Sequence, residues 1–112
     1  MSEGKTVGPP VERQMAETMD ALQAFGRMER DAQLGDIEAQ FLVGAAYFDG
    51  ERVARDRQRS AHWFRRAAEQ GHLEGQCRLA AHYAEGLGVP RDHAEAVVWY
   101  RRAADTGYAE AQ

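Results

Sequence analysis

The sequence has a single cysteine, Cys77, and a single lysine, Lys5. One cysteine cannot close an intramolecular disulfide, and alone it cannot build a thiolate metal site. It falls within a helical pattern and is expected there as a small buried or half-buried hydrophobe. No apolar run approaches the roughly 20 residues that cross a bilayer. The opening stretch, MSEGKTVGPPVERQ, has no apolar segment of the secretory type. A cytoplasmic chain without membrane insertion is therefore expected. Net positive charge is missing as well. The 14 basic and 18 acidic residues leave a net charge of −4, which argues against nucleic acid as a partner.

Site chemistry is equally sparse. The histidines, His62, His72, His82 and His93, include no i,i+4 pair, and neither HExxH nor CxxC occurs. No metal site and no cofactor are expected. Cys77 and His82 stand at i,i+5, poorly aligned on a helix and with no third group to orient the imidazole, so a nucleophile pair is not supported. The loop "GLG" at 86–88 follows no strand, which fails the context that a phosphate loop needs. Glu38, Glu74 and Glu110 recur, but near the starts of helical segments, where acids suit the helix dipole. No catalytic constellation results, and the chain is not expected to be an enzyme.

What the sequence does contain is repetition. At 112 residues, 44% of them apolar, it has the length of one globular domain with a modest core. Residues 35–70 align on 71–106 without a gap, and fourteen of the thirty-six positions are identical. That is far above coincidence, so the repeat must organise any account of the fold. HWFRRAAEQG at His62–Gly71 returns as VWYRRAADTG at Val98–Gly107. Each unit reads as two helices. Ile37, Val43, Gly44 and Tyr47 mark the packed face of the first. "DG" at 49–50 and "EGLGVP" at 85–90 break the chain. Asp56 and Asp92 then cap a second helix, and Glu95 is placed to complete a capping box with Asp92. That second helix carries Ala61, Phe64 and Ala68 on one stripe and Trp63 with Ala67 on the next. Gly71 and Gly107 are expected to end the second helices in the left-handed conformation. A helix pair this rich in Ala and Gly cannot bury its apolar face alone and must stack on its neighbour.

The stretch EGQCRLAAHYAEGLGVPRDHAEAVVWYRRAADTG, Glu74–Gly107, resembles the Sel-1-like repeat, a relative of the tetratricopeptide repeat. The copy at Glu38–Gly71 departs once, with Arg52 where the loop's second glycine stands as Gly88 in the next copy. The resemblance covers about residues 35–112. It implies an all-α fold, a right-handed α-α superhelix of helix-turn-helix units, with the first helix of each pair lining a concave face. It also implies an adaptor or scaffold for protein complexes, often in bacteria, standing alone or as an accessory module of a longer protein. Some relatives with this repeat are linked to β-lactam binding or hydrolysis. Those are cysteine-rich secreted chains, which this sequence does not match.

Five segments follow: a flexible tail over 1–10, a capping helix from a worn repeat over 11–34, repeats over 35–70 and 71–106, and the start of a third copy over 107–112. In the capping helix Val11, Met15, Met19, Leu22, Phe25, Met28 and Ala32 recur at spacings of three or four. A partner's place is sought on the non-packing stripe of each first helix. Glu38, Leu42, Ala46 and Asp49 share one such face. Glu74, Arg78, His82 and Glu85 are their equivalents. Packing demands the same residue in each copy, whereas a surface that reads a partner is free to differ, as Leu42 and Arg78 do. A protein or peptide partner is expected here, and self-association is possible through an uncovered C-terminal end. RVARDRQRS at 52–60, with Arg65 and Arg66, reads either as a solvated face or as a contact for an acidic partner.

Overall fold

The computed structural model describes residues 10–112. The expected tail over 1–10 lies, but for Pro10, outside the described residues. Among these residues there are five helices and no strand: α1 (Pro10–Gln33), α2 (Ile37–Asp49), α3 (Arg57–Glu69), α4 (Leu73–Glu85) and α5 (His93–Ala111). Each helix packs on the next in the chain, giving an elongated all-α solenoid of 68 × 31 × 24 Å.

The caps follow from short polar side chains. Asp36, Asp56 and Asp92 accept from the backbone N–H three residues on, at 2.8, 3.0 and 3.0 Å. His72 does the same for α4 through Nδ1, at 2.9 Å from the Gly75 nitrogen. The reciprocal half of the capping box at Asp92 does not form. The Asp92 N–H is taken by the Tyr83 carbonyl at 2.9 Å, as the Asp56 N–H is by Tyr47. Glu95 instead accepts from the indole of Trp99 at 3.2 Å.

Small residues let the helices approach. A Cβ on Gly44 would lie 2.8 Å from the Phe64 ring, so α2 meets α3 through a missing side chain. Phe64, Leu79 and Val43 are fully buried, and Trp63 and Trp99 nearly so. Complete burial of one such side chain contributes about 1.5–3 kcal/mol. The paired arginines build rather than form a free basic patch. Arg66 lies 5.0 Å over Trp63, and Arg102 lies 4.7 Å over Trp99. Arg57 covers Phe48, Arg59 reaches the Tyr47 hydroxyl, and Arg65 pairs with Glu69 and bonds the Tyr83 hydroxyl. Buried glutamines stitch each first helix to the end of the helix before it. Gln40 Nε2 donates to the Ala32 carbonyl at 3.0 Å, and Gln76 Nε2 to the Ala68 carbonyl at 3.2 Å.

Besides the capping box, further expectations fail in the fold. Ile37, read on the packed face of α2, is exposed. Gly107 does not end α5, which runs through it to Ala111. Gly107 takes no positive φ, and its Cβ position lies 3.8 Å from the Leu73 side chain, so it sits as an ordinary helical residue against the start of α4. Cys77 is exposed, because its side of α4 faces away from both α3 and α5. Along α1 only the C-terminal part is packed. Phe25 and Ala32 are buried and Met28 is half-buried, whereas Val11, Met15, Met19 and Leu22 stay more than half exposed. That half of the helix extends past α2.

The loop glycine of the second unit is explained by contact. Gly88 has φ 72°, and a Cβ there would fall 2.1 Å from the Arg57 carbonyl oxygen, so the loop rests on the backbone that opens α3. Arg52 has no such constraint, and among the described residues no non-glycine residue takes a positive φ. Gly88→Ala is expected to lower stability in urea unfolding by more than about 2 kcal/mol, from left-handed strain and backbone overlap together. Gly71→Ala, with φ 92° but nothing within 4 Å of its Cβ position, should cost only the strain, about 1 kcal/mol.

Candidate functional site

The first helices of the two units lie side by side through their side chains. Glu38 of α2 meets His72 at the start of α4, with Oε1 3.2 Å from Nε2. His72 also stacks on Phe41, the ring centroids 4.7 Å apart. Arg78 of α4 places its guanidinium 5.6 Å from the Phe41 centroid and 5.7 Å from that of Phe64. Among the expected partner-facing residues, Glu38, Leu42, Asp49, Glu74, Arg78 and Glu85 are exposed. They form two stripes at helical spacing, acidic at both ends, with Leu42 at the middle of one and Arg78 at the middle of the other.

His82 does not belong with them. It is 2% exposed, its ring between Phe48 and Phe64 at centroid distances of 5.4 and 5.3 Å. Its Nδ1 lies 2.8 Å from the Arg78 carbonyl oxygen, so this nitrogen carries the proton and donates. Nε2 is left to accept from the Ser60 hydroxyl at 3.4 Å. The difference between Ala46 and His82 suggested a readable surface, but it reflects packing. In the second unit α2 and α3 both reach over the residue. In the first unit only α1 does.

The same difference opens a cleft of about 240 Å³ in the first unit. Leu42, Ala45 and Ala46 of α2 form its floor and one side, and Met28 of α1 faces them. Asp49, Glu51 and Arg52 stand around it where α2 gives way to the loop. Two of the expected positions, Leu42 and Asp49, thus meet in one concavity. Met28, Ala45, Glu51 and Arg52 were not among them. Their signals were in the sequence: Met28 aligns with Phe64, and Arg52 replaces the loop glycine. Among the described residues no group of three or more His, Cys, Asp or Glu side chains could hold a metal ion, and no helix is long and apolar enough to cross a membrane.

This stacking of helix pairs, tied by Gln40 and Gln76 and capped alike in each unit, defines a helical-repeat protein. The profile of the family described as Sel1 repeat matches residues 37–72 and 73–108, and the chain belongs to that family. Among solved structures it is similar to c5321, a protective antigen of uropathogenic Escherichia coli strains displaying an SLR fold. That match has 40% identity and a TM-score of 0.70, over 74% of this chain and 18% of that one. It is also similar to a Sel1 repeat protein from Oxalobacter formigenes, at 32% identity and a TM-score of 0.74, over 76% of this chain and 35% of that one. The chain therefore spans well under half the length of either. A search of curated proteins finds no match.

The burial of His82 has a measurable consequence. Desolvation, helped by the Arg57 and Arg78 charges, lowers its pKa below 6.5, against the opposing pull of the Arg78 carbonyl and Glu85. The unfolded imidazole gains a proton near pH 6.5, while the folded one resists until lower pH. This contribution to stability is complete above that value and is lost as the pH falls through it toward the folded pKa. Urea unfolding at pH 7.5 and 5.5 should show a loss in wild type that shrinks in His82→Leu. An equal loss in both would place the acid sensitivity elsewhere.

Proposed function

We propose that the chain is a non-catalytic protein-interaction scaffold, taking a protein or peptide partner on the exposed stripes of α2 and α4. One observation carries this reading. Several positions that pack are the same in both units, as in Tyr47 and Tyr83, Trp63 and Trp99, Ala67 and Ala103. Leu42 and Arg78 occupy equivalent exposed positions and differ in kind. Glu38, Asp49, Glu74 and Glu85 surround them with negative charge, which suits a partner carrying basic residues. The family's common role in protein interaction agrees with this assignment.

A second reading, a module within a longer protein, is supported by the match covering only 18% and 35% of the two similar structures. Val97, Tyr100 and Tyr108 are exposed along α5. Val97 and Tyr100 stand at the places of Ala61 and Phe64, which in α3 are buried. This face is our candidate for self-association or for stacking of a further unit.

Crosslinking and pull-down from the native cell should recover a partner with wild type and lose most of it with Leu42→Glu or Arg78→Glu. Equal recovery with both variants would refute the stripe assignment. Turnover of a β-lactam or ester panel that disappears in Cys77→Ala would refute the non-catalytic reading.

A further inference from the structure

Resting on the scaffold reading, the internal comparison of the two units points to what the cleft beside Ala46 accepts. In the second unit the equivalent space is filled from within. The His82 ring occupies it, between Phe48 and Phe64. In the first unit the ring is absent, because position 46 is alanine, and Met28 stands where Phe64 stands. The fold around both positions is similar: helices of 13 residues, a left-handed glycine at the C-cap and a tyrosine one position on, Tyr47 buried and Tyr83 half-buried. The first unit thus has a ring-sized vacancy in a place built to hold a ring. A cavity of about 150 Å³ admits benzene, and this one measures about 240 Å³.

We propose that the cleft receives the aromatic side chain of a partner segment, with a basic residue next to it in the partner's sequence. The wall favours a ring over an aliphatic chain. The Met28 thioether is polarizable and makes favourable contacts with aromatic rings, and Arg52 at the mouth supplies a guanidinium that can cover a ring face, as Arg57 covers Phe48. Leu42, 43% exposed, extends the apolar edge outward. Asp49 and Glu51 place two carboxylates at the same mouth against the one guanidinium, and the surplus negative charge selects a cationic neighbour of the ring. An acidic aromatic segment would meet repulsion there.

Titration of the ¹⁵N-labelled full chain with the tripeptide acetyl-Lys-Trp-Lys-amide tests the assignment. Shifts are expected at the Leu42, Ala46 and Glu51 amides, with a dissociation constant of about a millimolar. Acetyl-Lys-Ala-Lys-amide should bind at least about tenfold more weakly, having lost the anchor, and acetyl-Glu-Trp-Glu-amide should also be weaker. Ala46→His, which installs the second unit's own residue, should abolish the shifts. Leu42→Glu, at an exposed position, provides a second variant with the same expected loss should Ala46→His disturb folding. Shifts mapping only to other helices, equal binding of the Trp and Ala peptides, or undiminished binding by both variants would overturn the proposal. If a cellular partner is captured while the tripeptide leaves the cleft untouched, the aromatic assignment falls and the scaffold reading survives. Failure of both experiments removes both.

Discussion

A helix whose inward stripe consists of Ala61, Phe64 and Ala68 offers one large side chain and two small ones. Packed on a single neighbour it would leave half of that ring in water. Phe64 is buried only because two helices enclose it. Gly44 of α2 gives it room on one side, where even a methyl group would stand at 2.8 Å. Phe41 comes from the same direction at 5.4 Å, and His82 of α4 closes the other at 5.3 Å. The need to enclose one ring from both sides makes the units interdependent, and nearest-neighbour burial of this kind is what stabilises a solenoid.

The remaining interactions set how the helices meet. Gln40 and Gln76 bind the carbonyls at the ends of α1 and α3 and so fix the angle at which the next helix begins. Gln40 also accepts from Gln70 at 2.6 Å, whereas Gln76 Oε1 has no partner among the described residues. The place of Gln70 is taken in the second unit by Thr106, within the continuous α5. Tyrosine hydroxyls tie successive elements in both units. Tyr47 donates to Glu29 of α1 at 2.8 Å, and burial beside that carboxylate pushes its pKa up, keeping the phenol protonated. Tyr83 is held from α3 by Arg65.

Much of this architecture is legible in the spacing of residues, because the packing constraint recurs every thirty-six positions. Trp63, Phe64, Ala67 and Ala68 were read as packed from their return as Trp99, Tyr100, Ala103 and Ala104. Even there Tyr100 is exposed, because α5 packs on α4 from one side, whereas Phe64 lies between α2 and α4. The reading failed where a residue's surroundings come from outside its own unit. His82 was placed on the partner-facing stripe by helical phase, as the equivalent of Ala46. Its burial depends on Phe48, which belongs to the unit before. Glu95 matched a capping pattern, but the N–H it would have served was already bonded to Tyr83. Val11, Met15, Met19 and Leu22 have the period of a buried face, yet among the described residues no helix lies opposite them. Among the residues proposed to face a partner, the exposure of Leu42 and Asp49 was legible from helical phase. The concavity they share was not, since it needs Met28 from α1.

The claim on which this account depends is that the two units are one cooperative structure joined at Phe64. Native-state hydrogen exchange on wild type and Phe64→Leu, resolved by helix, measures it most directly. The account predicts that α2 and α4 amides lose protection together and by the same free energy, because the ring lies between them. Loss confined to α2 and α3, with α4 and α5 protected as before, would show that the units are stable separately and would contradict it.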